Sequence, residues 1–317
     1  MFNFREIQLS DRDWINSCLE ISDFRGCEYS FANNLAWRRL NNTLIDSYGD
    51  FYISCSFDRE SPVITFPSGV KCDSTGIEKY INLFGELEKF TLSQGHSLKI
   101  SSVNSENLKW MTEYYKGRIN VDANRDSFDY IYNSQDLIEL RGKKYHGKRN
   151  HIKRFKDNEW SFEPLTEDNF DECTAFAAEF YNSSDSYDDY SAVVEQYAIH
   201  TFFSNFEYLG LNGGILRSQG RIVGFTIGER LNSDTFVVHI EKALSEVQGA
   251  YPTICTEFAA EYAKDLTYIN REEDLGIEGL RRSKLSYHPV FLHEKYTVTF
   301  LSLIHISEPT RHSLISY

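Results

Sequence analysis

The densest group of like-charged side chains in this 317-residue sequence is a run of basic residues. The segment RGKKYHGKRNHIKRFK, residues 141–156, carries eight Lys and Arg and no Asp or Glu, while the rest of the chain holds 25 Lys and Arg against 47 Asp and Glu. Such asymmetry is typical of a local site for a phosphate-rich ligand. The alternative is a basic helix face that contacts only water. The candidate phosphate ligands are Lys143, Lys144, Lys148, Arg149, Lys153 and Arg154.

A second pair of cations lies near the C-terminus. Arg281 and Lys284 are three residues apart, so on a helix they can face the same way as contacts for an anion or a carbonyl. The motifs of several other chemistries are missing from the sequence: it has no HExxH, no GxSxG, no P-loop and no Cys/His cluster with metal-ligand spacing. We therefore expect no catalytic metal.

Composition narrows the class of protein further. Apolar residues make up 41% and charged residues 25%, as in ordinary globular chains. No apolar run approaches the about 18 residues of a membrane helix, and the N-terminus does not resemble a signal peptide. The six cysteines include no CxxC pair, which favours reduced thiols in the core. A cytoplasmic protein is expected.

The last residues, 301–317, are predicted to be foreign to the fold. LSLIHISEPTR resembles the translation of a sequencing adapter, and the closing Ile315-Ser316-Tyr317 fits the constant sequence beyond its index. We expect the natural reading frame to be interrupted near Phe300, and we leave this tail out of the fold prediction.

The N-terminal half alternates strand and helix patterns. The predicted elements are strands at 50–57 and 62–67, a helix at 77–90, a strand at 98–103, a helix from Ser105 and a strand at 128–132. A domain is predicted to end at residue 133. Residues 134–156 then form a connector with one narrow apolar seam and an otherwise basic circumference, which predicts a helix.

The C-terminal half gives a clearer order of elements. The pattern predicts a strand at 160–165, helices at 166–181 and 193–202, strands at 208–216, 222–229 and 235–241, a helix at 252–266, a strand at 267–269 and a helix at 278–284. This is the element order of the GNAT acyltransferase fold, and the N-terminal half repeats it loosely. The sequence therefore predicts a mixed α/β fold with two tandem GNAT-like acyltransferase domains, residues 1–133 and 157–300.

The third strand of the C-terminal half ends where GNAT folds open a V-shaped gap and place their reacting centre. Strict alternation puts His239 and Glu241 on one side of this strand, and Ile240 and Lys242 on the other. Glu241 is the predicted general base or amine-recognition carboxylate. The alternatives are an ordinary ion pair between Glu241 and Lys242, and a buried core role for His239.

Four segments together resemble one known family. They are RGKKYHGKRNHIKRF (141–155), HIEKA (239–243), GAYPTICTEFA (249–259) and, most specifically, NREEDLGIEGLRRSKLSYHP (270–289). They resemble the C-terminal domain of bacterial phosphatidylglycerol lysyltransferases and their stand-alone cytosolic relatives. The resemblance covers residues 1–300. It implies a tandem GNAT fold, similar to that of Fem-type peptidoglycan aminoacyltransferases, that moves an aminoacyl group from aminoacyl-tRNA to a lipid or other small acceptor, with at most a peripheral membrane contact.

The resemblance also implies roles for residues of the last segment. Asp274 precedes a helix where the family has a functional loop, so it is assigned to the aminoacyl amine or the acceptor. Arg281 and Lys284 are assigned to phosphate or to the oxyanion. The alternative is that Asp274 caps the helix and that Arg281 pairs with Glu273 or Glu278.

The donor is the main open question. An acetyl-CoA enzyme would place a glycine-rich loop before residue 252, but residues 245–251 contain one glycine, Gly249, together with Glu246 and the bulky Tyr251. No cofactor is therefore predicted, and Gly249 and Tyr251 are assigned to substrate binding. Three hypotheses stay open: an aminoacyl-tRNA-dependent transferase with direct attack on the ester, a CoA-dependent acyltransferase, and a non-catalytic domain that binds tRNA or another anion.

Overall fold

A computed structural model describes residues 2–40, 42–58, 61–183 and 189–301 of the chain. Apart from Leu301, the predicted adapter-derived tail lies outside the described residues. Within the described ranges, no helix is long and apolar enough to cross a membrane.

The chain forms strands and helices throughout both halves. The strands are β1 (Arg5–Glu6), β2 (Leu44–Tyr48), β3 (Phe51–Asp58), β4 (Ser61–Thr65), β5 (Lys99–Val103), β6 (Ile119–Ala123), β7 (Asp129–Asn133), β8 (Trp160–Pro164), β9 (Asn212–Ser218), β10 (Arg221–Arg230), β11 (Thr235–Ala243), β12 (Tyr268–Asn270), β13 (Phe291–His293) and β14 (Tyr296–Phe300). The helices are α1 (Arg12–Ser22), α2 (Phe31–Trp37), α3 (Ser74–Ser93), α4 (Ser105–Tyr114), α5 (Ser134–Glu139), α6 (His146–Lys156), α7 (Phe170–Ser183), α8 (Asp189–Ser204), α9 (Phe206–Leu209), α10 (Ala250–Tyr262) and α11 (Glu278–Leu285).

These strands form two seven-stranded mixed sheets. The first sheet has the order β1-β2-β3-β4-β5-β14-β6, and the second has the order β13-β7-β12-β11-β10-β9-β8. β7, from the first half of the chain, pairs with β12 and β13 in the second sheet, while β14 pairs with β5 and β6 in the first. Each half therefore gives a strand to the other half's sheet. The domain boundary placed at residue 133 stays a prediction, since the two sheets interlock around it.

Local sequence explains where most elements begin and end. α3 starts earlier than its apolar pattern because the Asp73 carboxylate accepts a hydrogen bond from the Gly76 amide at 2.9 Å, a helix N-cap. Its apolar stripe then buries Tyr80, Phe84 and Leu87 in the first core. This cap and stripe fix the long helix that covers the first sheet.

Two predicted elements differ from the structure. The strand predicted from residue 208 begins at Asn212, because Phe206–Leu209 forms a helical turn that closes at Gly210 with φ of 72°. The basic connector forms two helices, because Leu140 and Gly142 both adopt positive φ between α5 and α6. The second helix, α6, carries most of the basic residues.

Helices cover both faces of the second sheet. On one face, here called the α10 face, α6 and α10 bury Phe155 and Ile254 against the sheet. On the opposite face, here called the α8 face, Phe176 of α7 and Phe202 of α8 pack with Phe225 of β10. The first half docks on this second side, where the Arg38 guanidinium of α2's C-terminal end donates to the Tyr197 hydroxyl of α8 at 2.7 Å. The α8 face therefore looks toward the first half.

Candidate functional site

The second sheet splits open beside its third meander strand. β11 and β12 pair only over Thr235–Val237 and Tyr268–Asn270. β11 then continues to Ala243, whereas the segment that follows β12 turns away from it. The segment after β12 has unusual backbone angles, since the non-glycine residues Glu272 and Leu275 adopt φ of 56° and 52°. Non-glycine residues adopt this region at a cost, which the surrounding contacts of residues 270–275 must offset. The gap is thus a fixed feature of the fold.

A β-bulge reverses the expected sides of β11. Gly228 pairs with Val238 and Ile227 with Ile240, so His239 is an extra residue without a partner in β10. The prediction from strict alternation that His239 and Glu241 share a side is therefore wrong. The His239 ring stacks on Phe202 on the α8 face, with centroids 5.6 Å apart. Glu241 instead lies on the α10 face beside Val238.

On the α8 face of the gap, His239 lies between two carboxylates. Its Nδ1 is 2.9 Å from Glu272 and its Nε2 is 3.0 Å from Glu229, and the Ser30 hydroxyl also donates to Glu229. Burial alone would lower the pKa of His239, but the two hydrogen bonds outweigh it and raise the pKa to about 9. The ring is therefore an imidazolium that donates to both carboxylates.

On the α10 face, Glu241 forms a buried ion pair with Arg271 rather than with its neighbour Lys242. The Arg271 guanidinium donates to Glu241 at 2.6 Å, and both side chains are about nine-tenths buried. Lys242 pairs with Glu195 of α8 at 2.8 Å. Within the described residues, Nη1 of Arg271 has no hydrogen-bond partner and lies by a cavity of about 10 Å³, enough for about one water.

A stack of cations links this ion pair to the basic helix α6. The Arg271 guanidinium lies 4.7 Å from the ring centroid of Tyr287, and the Lys148 ammonium lies 3.4 Å from the same centroid. Lys148 also donates to the Ser286 hydroxyl at 2.8 Å. Burial lowers the pKa of Lys148 to about 8. Tyr287 and Lys148 therefore join the buried Arg271–Glu241 pair to the basic helix α6.

Asp274 and Arg281, predicted to act together, are in direct contact. Two guanidinium nitrogens of Arg281 donate to the Asp274 carboxylate at 2.9 and 2.8 Å, and the Tyr130 hydroxyl donates at 2.6 Å. Asp274 is completely buried, and the Arg281 contact holds the pKa of its carboxyl well below the usual range. Arg125 completes the cluster at 3.3 Å. Both oxygens of Asp274 are therefore engaged by neighbours in the fold.

Lys284 lies apart from Arg281 although both are on α11. Its ammonium donates to the main-chain carbonyls of Arg271 and Glu273, beneath the segment that leaves the gap. Burial lowers the pKa of Lys284. The predicted shared anion contact of Arg281 and Lys284 is thus replaced by two separate contacts that hold residues 271–274 in place.

A buried cluster that the sequence analysis missed joins the two halves. The Lys295 ammonium lies 2.7 Å from both Asp129 and Glu28, and 3.5 Å from Sγ of Cys27. The Cys27 thiol donates to Glu273 at 3.3 Å, and burial raises the pKa of the Glu273 carboxyl to about 7. Ligand atoms of Cys27, Asp129 and Glu273 lie within 4.8 Å of one another, a spacing that could hold a metal ion, but the Lys295 ammonium lies among them. No local pattern marks these residues, because they are far apart in the chain.

A large cleft of about 1030 Å³ lies on the α8 face of the second sheet, beside the β10–β11 turn. One wall comes from the first half around α1, the start of α2 and the N-termini of α3 and α4. The other comes from the β10–β11 turn. Glu229, which bonds to His239, lies in the cleft wall, as does Ser30. Glu229 therefore belongs both to the cleft wall and to the His239 site beside the gap.

The predicted phosphate ligands fall into two groups. Lys143, Lys153 and Arg154 are exposed, and no ion pair or side-chain hydrogen bond engages them within the described residues. Lys144 lies 3.4 Å from Asp136. These four side chains face solvent on or beside α6 and are open to a polyanion.

The remaining two, Lys148 and Arg149, contact other residues of the protein. Lys148 packs on Tyr287, and Arg149 donates to the main-chain carbonyls of Leu140 and Gly142, the latter at 2.8 Å. Arg149 thereby satisfies carbonyl groups at the C-terminus of α5. Their substitution would disturb the connector as well as any bound phosphate.

Gly249 and Tyr251 lie where α10 begins. Gly249 adopts φ of 92°, and a Cβ added there would lie 2.4 Å from the His151 carbonyl oxygen of α6. Tyr251 packs against the small core that includes Phe155 of α6. The turn that an acetyl-CoA enzyme would use for pyrophosphate is therefore covered by α6 on its Gly249 side.

The six cysteines are free thiols, as the sequence predicted, and none is poised as a thiolate. Burial raises the pKa of every one of them, to about 12 for Cys55, Cys173 and Cys255 and about 11 for Cys72. Burial also raises the pKa of Cys18 and of Cys27. A protonated thiol is a poor nucleophile, so these cysteines do not suit covalent catalysis.

Comparison with known proteins identifies the family. Residues 19–299 match the family model described as phosphatidylglycerol lysyltransferase, C-terminal. The chain belongs to this family. The resemblance carried by the four segments of the sequence is thereby confirmed.

Solved structures confirm the predicted fold for this member of the phosphatidylglycerol lysyltransferase C-terminal family. A conserved Bacteroides thetaiotaomicron protein of unknown function is 37% identical, with a TM-score of 0.86, and the match covers 95% of this chain and 100% of that chain. L-PGS from Bacillus licheniformis is 15% identical with a TM-score of 0.60, covering 95% and 96%. FemX is 9% identical with a TM-score of 0.61, covering 94% and 97%. The last two show the shared tandem GNAT-like fold alone.

Proposed function

We propose that this protein transfers an aminoacyl group from aminoacyl-tRNA to a nucleophilic acceptor at the gap between β11 and β12. The observation that supports this most directly is the polarity of the gap. On its α10 face, Lys148 of the basic helix α6 and Arg271 both contact Tyr287, whereas on its α8 face His239 bonds to Glu229, which lines the cleft. A polyanionic donor and an amine- or hydroxyl-bearing acceptor can therefore approach from opposite sides.

The donor side matches the chemistry of a tRNA. Lys143, Lys153 and Arg154 offer exposed cations that the described residues do not neutralise. Phosphate contacts of this kind dominate nucleic-acid affinity because they release condensed counterions. Lys148 extends the basic surface inward from α6 to Tyr287, which separates it from the buried Arg271–Glu241 ion pair.

The acceptor attacks the ester directly in this proposal. His239 cannot activate a serine or cysteine, because both ring nitrogens donate to carboxylates. The thiols are held protonated by burial, which removes the other usual nucleophile. Asp274, Arg281 and Lys284 are assigned to holding residues 271–277 in shape, because their charged groups are engaged within the fold.

The CoA hypothesis is the less favoured one. CoA-dependent members of this fold bind pyrophosphate at the turn before the helix that corresponds to α10, using main-chain amides. Here the His151 carbonyl of α6 approaches Gly249 so closely that even a methyl group would clash. The contact between α6 and this turn supports a donor other than CoA.

The test is a salt-dependent titration of the protein with aminoacyl-tRNA. A Lys153→Glu/Arg154→Glu variant should bind more weakly, and its slope of log K against log salt should fall by up to about 2. Lys109→Glu/Lys116→Glu makes the same change in charge at exposed positions of the first half and should bind as the unmodified protein does. Equal losses in both variants would show only a general effect of net charge. Tight CoA binding without tRNA binding would overturn the proposal in favour of the CoA-dependent enzyme.

A further inference from the structure

The cleft on the α8 face is built for a polar occupant. Its lining is mostly of amide, hydroxyl and charged side chains, contributed by both halves of the chain. The apolar side chains among the described lining residues, such as Leu19, Phe24 and Leu231, are a minority. A lipid acyl chain needs continuous apolar surface, so this lining disfavours a diacyl lipid as the occupant.

The charges of the cleft favour a cation. Among the described residues its carboxylates are Glu20, Asp23, Asp73, Glu106 and Glu229, and its cationic side chains are Arg25, Lys71 and Arg230. Arg25 is paired with Asp234 at 2.8 Å, and Arg230 donates to the main-chain carbonyls of Asn232 and Ser233. Glu20 and Glu106 are exposed and have no ion pair within the described residues. The negative charge of the cleft is therefore only partly compensated.

Glu229 connects this acidic cleft to the gap. Glu229 of β10 pairs with Val237 of β11, and Val237 with Asn270 is the last pair before β11 and β12 separate. The His239 ring and the Ser30 hydroxyl hold its carboxylate, and its side chain keeps 16% of its surface exposed. A carboxylate fixed at the inner end of a cleft is well placed to accept a proton from a bound nucleophile.

We propose that the acceptor is a water-soluble primary amine that enters through this acidic cleft, and that Glu229 takes the proton that its nitrogen releases during attack on the aminoacyl ester. This inference rests on the proposed function and specifies its acceptor. The amine binds as an ammonium ion and releases one proton to solvent. Its nitrogen then forms a bond to the ester carbonyl carbon, and the attached N–H⁺ gives its proton to Glu229. The bond from this carbon to the ribose oxygen breaks, and that oxygen takes the proton from Glu229, which leaves an amide and a free tRNA hydroxyl.

The experiment follows the label of a radioactive aminoacyl-tRNA in the presence of the full chain. Ethanolamine is the probe amine, ethylene glycol is its matched partner with a hydroxyl in place of the amine, and phosphatidylglycerol vesicles are the lipid probe. We expect alkali-stable label on ethanolamine, and none on ethylene glycol or on the vesicles. Alkali-labile label that extracts with lipid would overturn the amine assignment while leaving the proposed function intact. Label on none of the probes, with tRNA still bound, would overturn the amine assignment as well, and loss of tRNA binding would overturn the proposed function itself.

Two variants separate chemistry from binding. Glu229→Gln keeps the shape of the side chain and should lower kcat for ethanolamine by about 100-fold, the usual contribution of a general base. Glu106→Gln, at the cleft rim, should raise KM for the amine about two- to five-fold with kcat unchanged, as for one exposed charge. Glu113→Gln, an exposed position on α4, is the control and should change neither value. Unchanged kcat in a folded Glu229→Gln protein would remove Glu229 from the reaction. If that variant does not fold, unchanged KM in Glu106→Gln would overturn the cleft as the amine site.

Discussion

Replacing His239 by Gln should remove a pH-dependent part of the protein's stability. The ring is fully buried between Glu229 and Glu272, and its hydrogen bonds raise its pKa from 6.5 to about 9. The folded protein therefore binds a proton that the unfolded chain loses at lower pH. A raised pKa stabilises the fold fully below the unfolded value, and this contribution is lost as pH rises through the folded value.

The size of the effect follows from the shift. Each pKa unit corresponds to about 1.4 kcal/mol, so protonation of His239 contributes about 3 kcal/mol below pH 6.5 and little above pH 9. At pH 6 the His239→Gln protein should be less stable by about 3 kcal/mol, because the two carboxylates lose their cation. The difference between the two proteins should shrink by about 3 kcal/mol by pH 9.5.

The assay is urea unfolding followed by tryptophan fluorescence at several pH values from 6 to 9.5. Other groups titrate in this range, among them Glu273, with a pKa raised to about 7, and Lys148, with a pKa lowered to about 8. Their contributions are present in both proteins and cancel in the difference. His200→Gln, an exposed histidine on α8, is the control and should run parallel to the unmodified protein. A difference for His239→Gln that stays constant to within about 1 kcal/mol would refute the reasoning, because the ring would then have no raised pKa in the fold.

Three other outcomes follow from the site. Gly249→Ala should lower the free energy of unfolding by about 1 to 3 kcal/mol in denaturant titrations, because Gly249 has a positive φ and lies close to the His151 carbonyl of α6. The control Gly147→Ala, where the added Cβ meets open space, should be neutral or stabilising by up to about 1 kcal/mol. Arg271→Met should lower the free energy of unfolding by about 3 to 5 kcal/mol, because it leaves Glu241 buried and unpaired. Adding Glu241→Gln should recover part of this loss, so additive losses in the double-mutant cycle would contradict the buried pair. The Arg281 contact lowers the pKa of Asp274, so the ionised carboxylate stabilises the fold above about pH 3.9, and this stability is lost as pH falls through the folded pKa. Asp274→Asn should therefore be less stable at neutral pH and lose less further stability in acid. Parallel acid titrations of the two proteins would contradict this.

Much of the fold could be predicted from local patterns. Apolar spacing located α3 and α10, alternation located the three meander strands, and their order indicated the GNAT fold. The segment NREEDLGIEGLRRSK was identified as the specific motif; it begins on β12 at one side of the gap, and Arg281 and Lys284 contact residues 271–274. Helical and strand periodicities report which side of an element is buried, so they suffice where one element packs regularly on another.

The contacts within the site depended on features that no local pattern shows. A single extra residue, His239, reversed the sides of β11, so that His239 and Glu241 face opposite halves of the site. The cluster of Cys27, Asp129 and Lys295 forms only because β7 and β14 each join the other half's sheet.

The sequence by itself determined the element order, the basic helix α6 and the acidic remainder of the chain, since these depend on composition and on neighbours along the chain. Only the tertiary structure decided which carboxylate faces the cleft. Glu241 was the carboxylate predicted from its position, yet it is paired with Arg271 and buried, while Glu229 reaches the cleft. That choice depends on the register of strands and on distant partners, such as Arg271, 30 positions from Glu241, and Ser30, 199 positions from Glu229, which short-range periodicity does not encode.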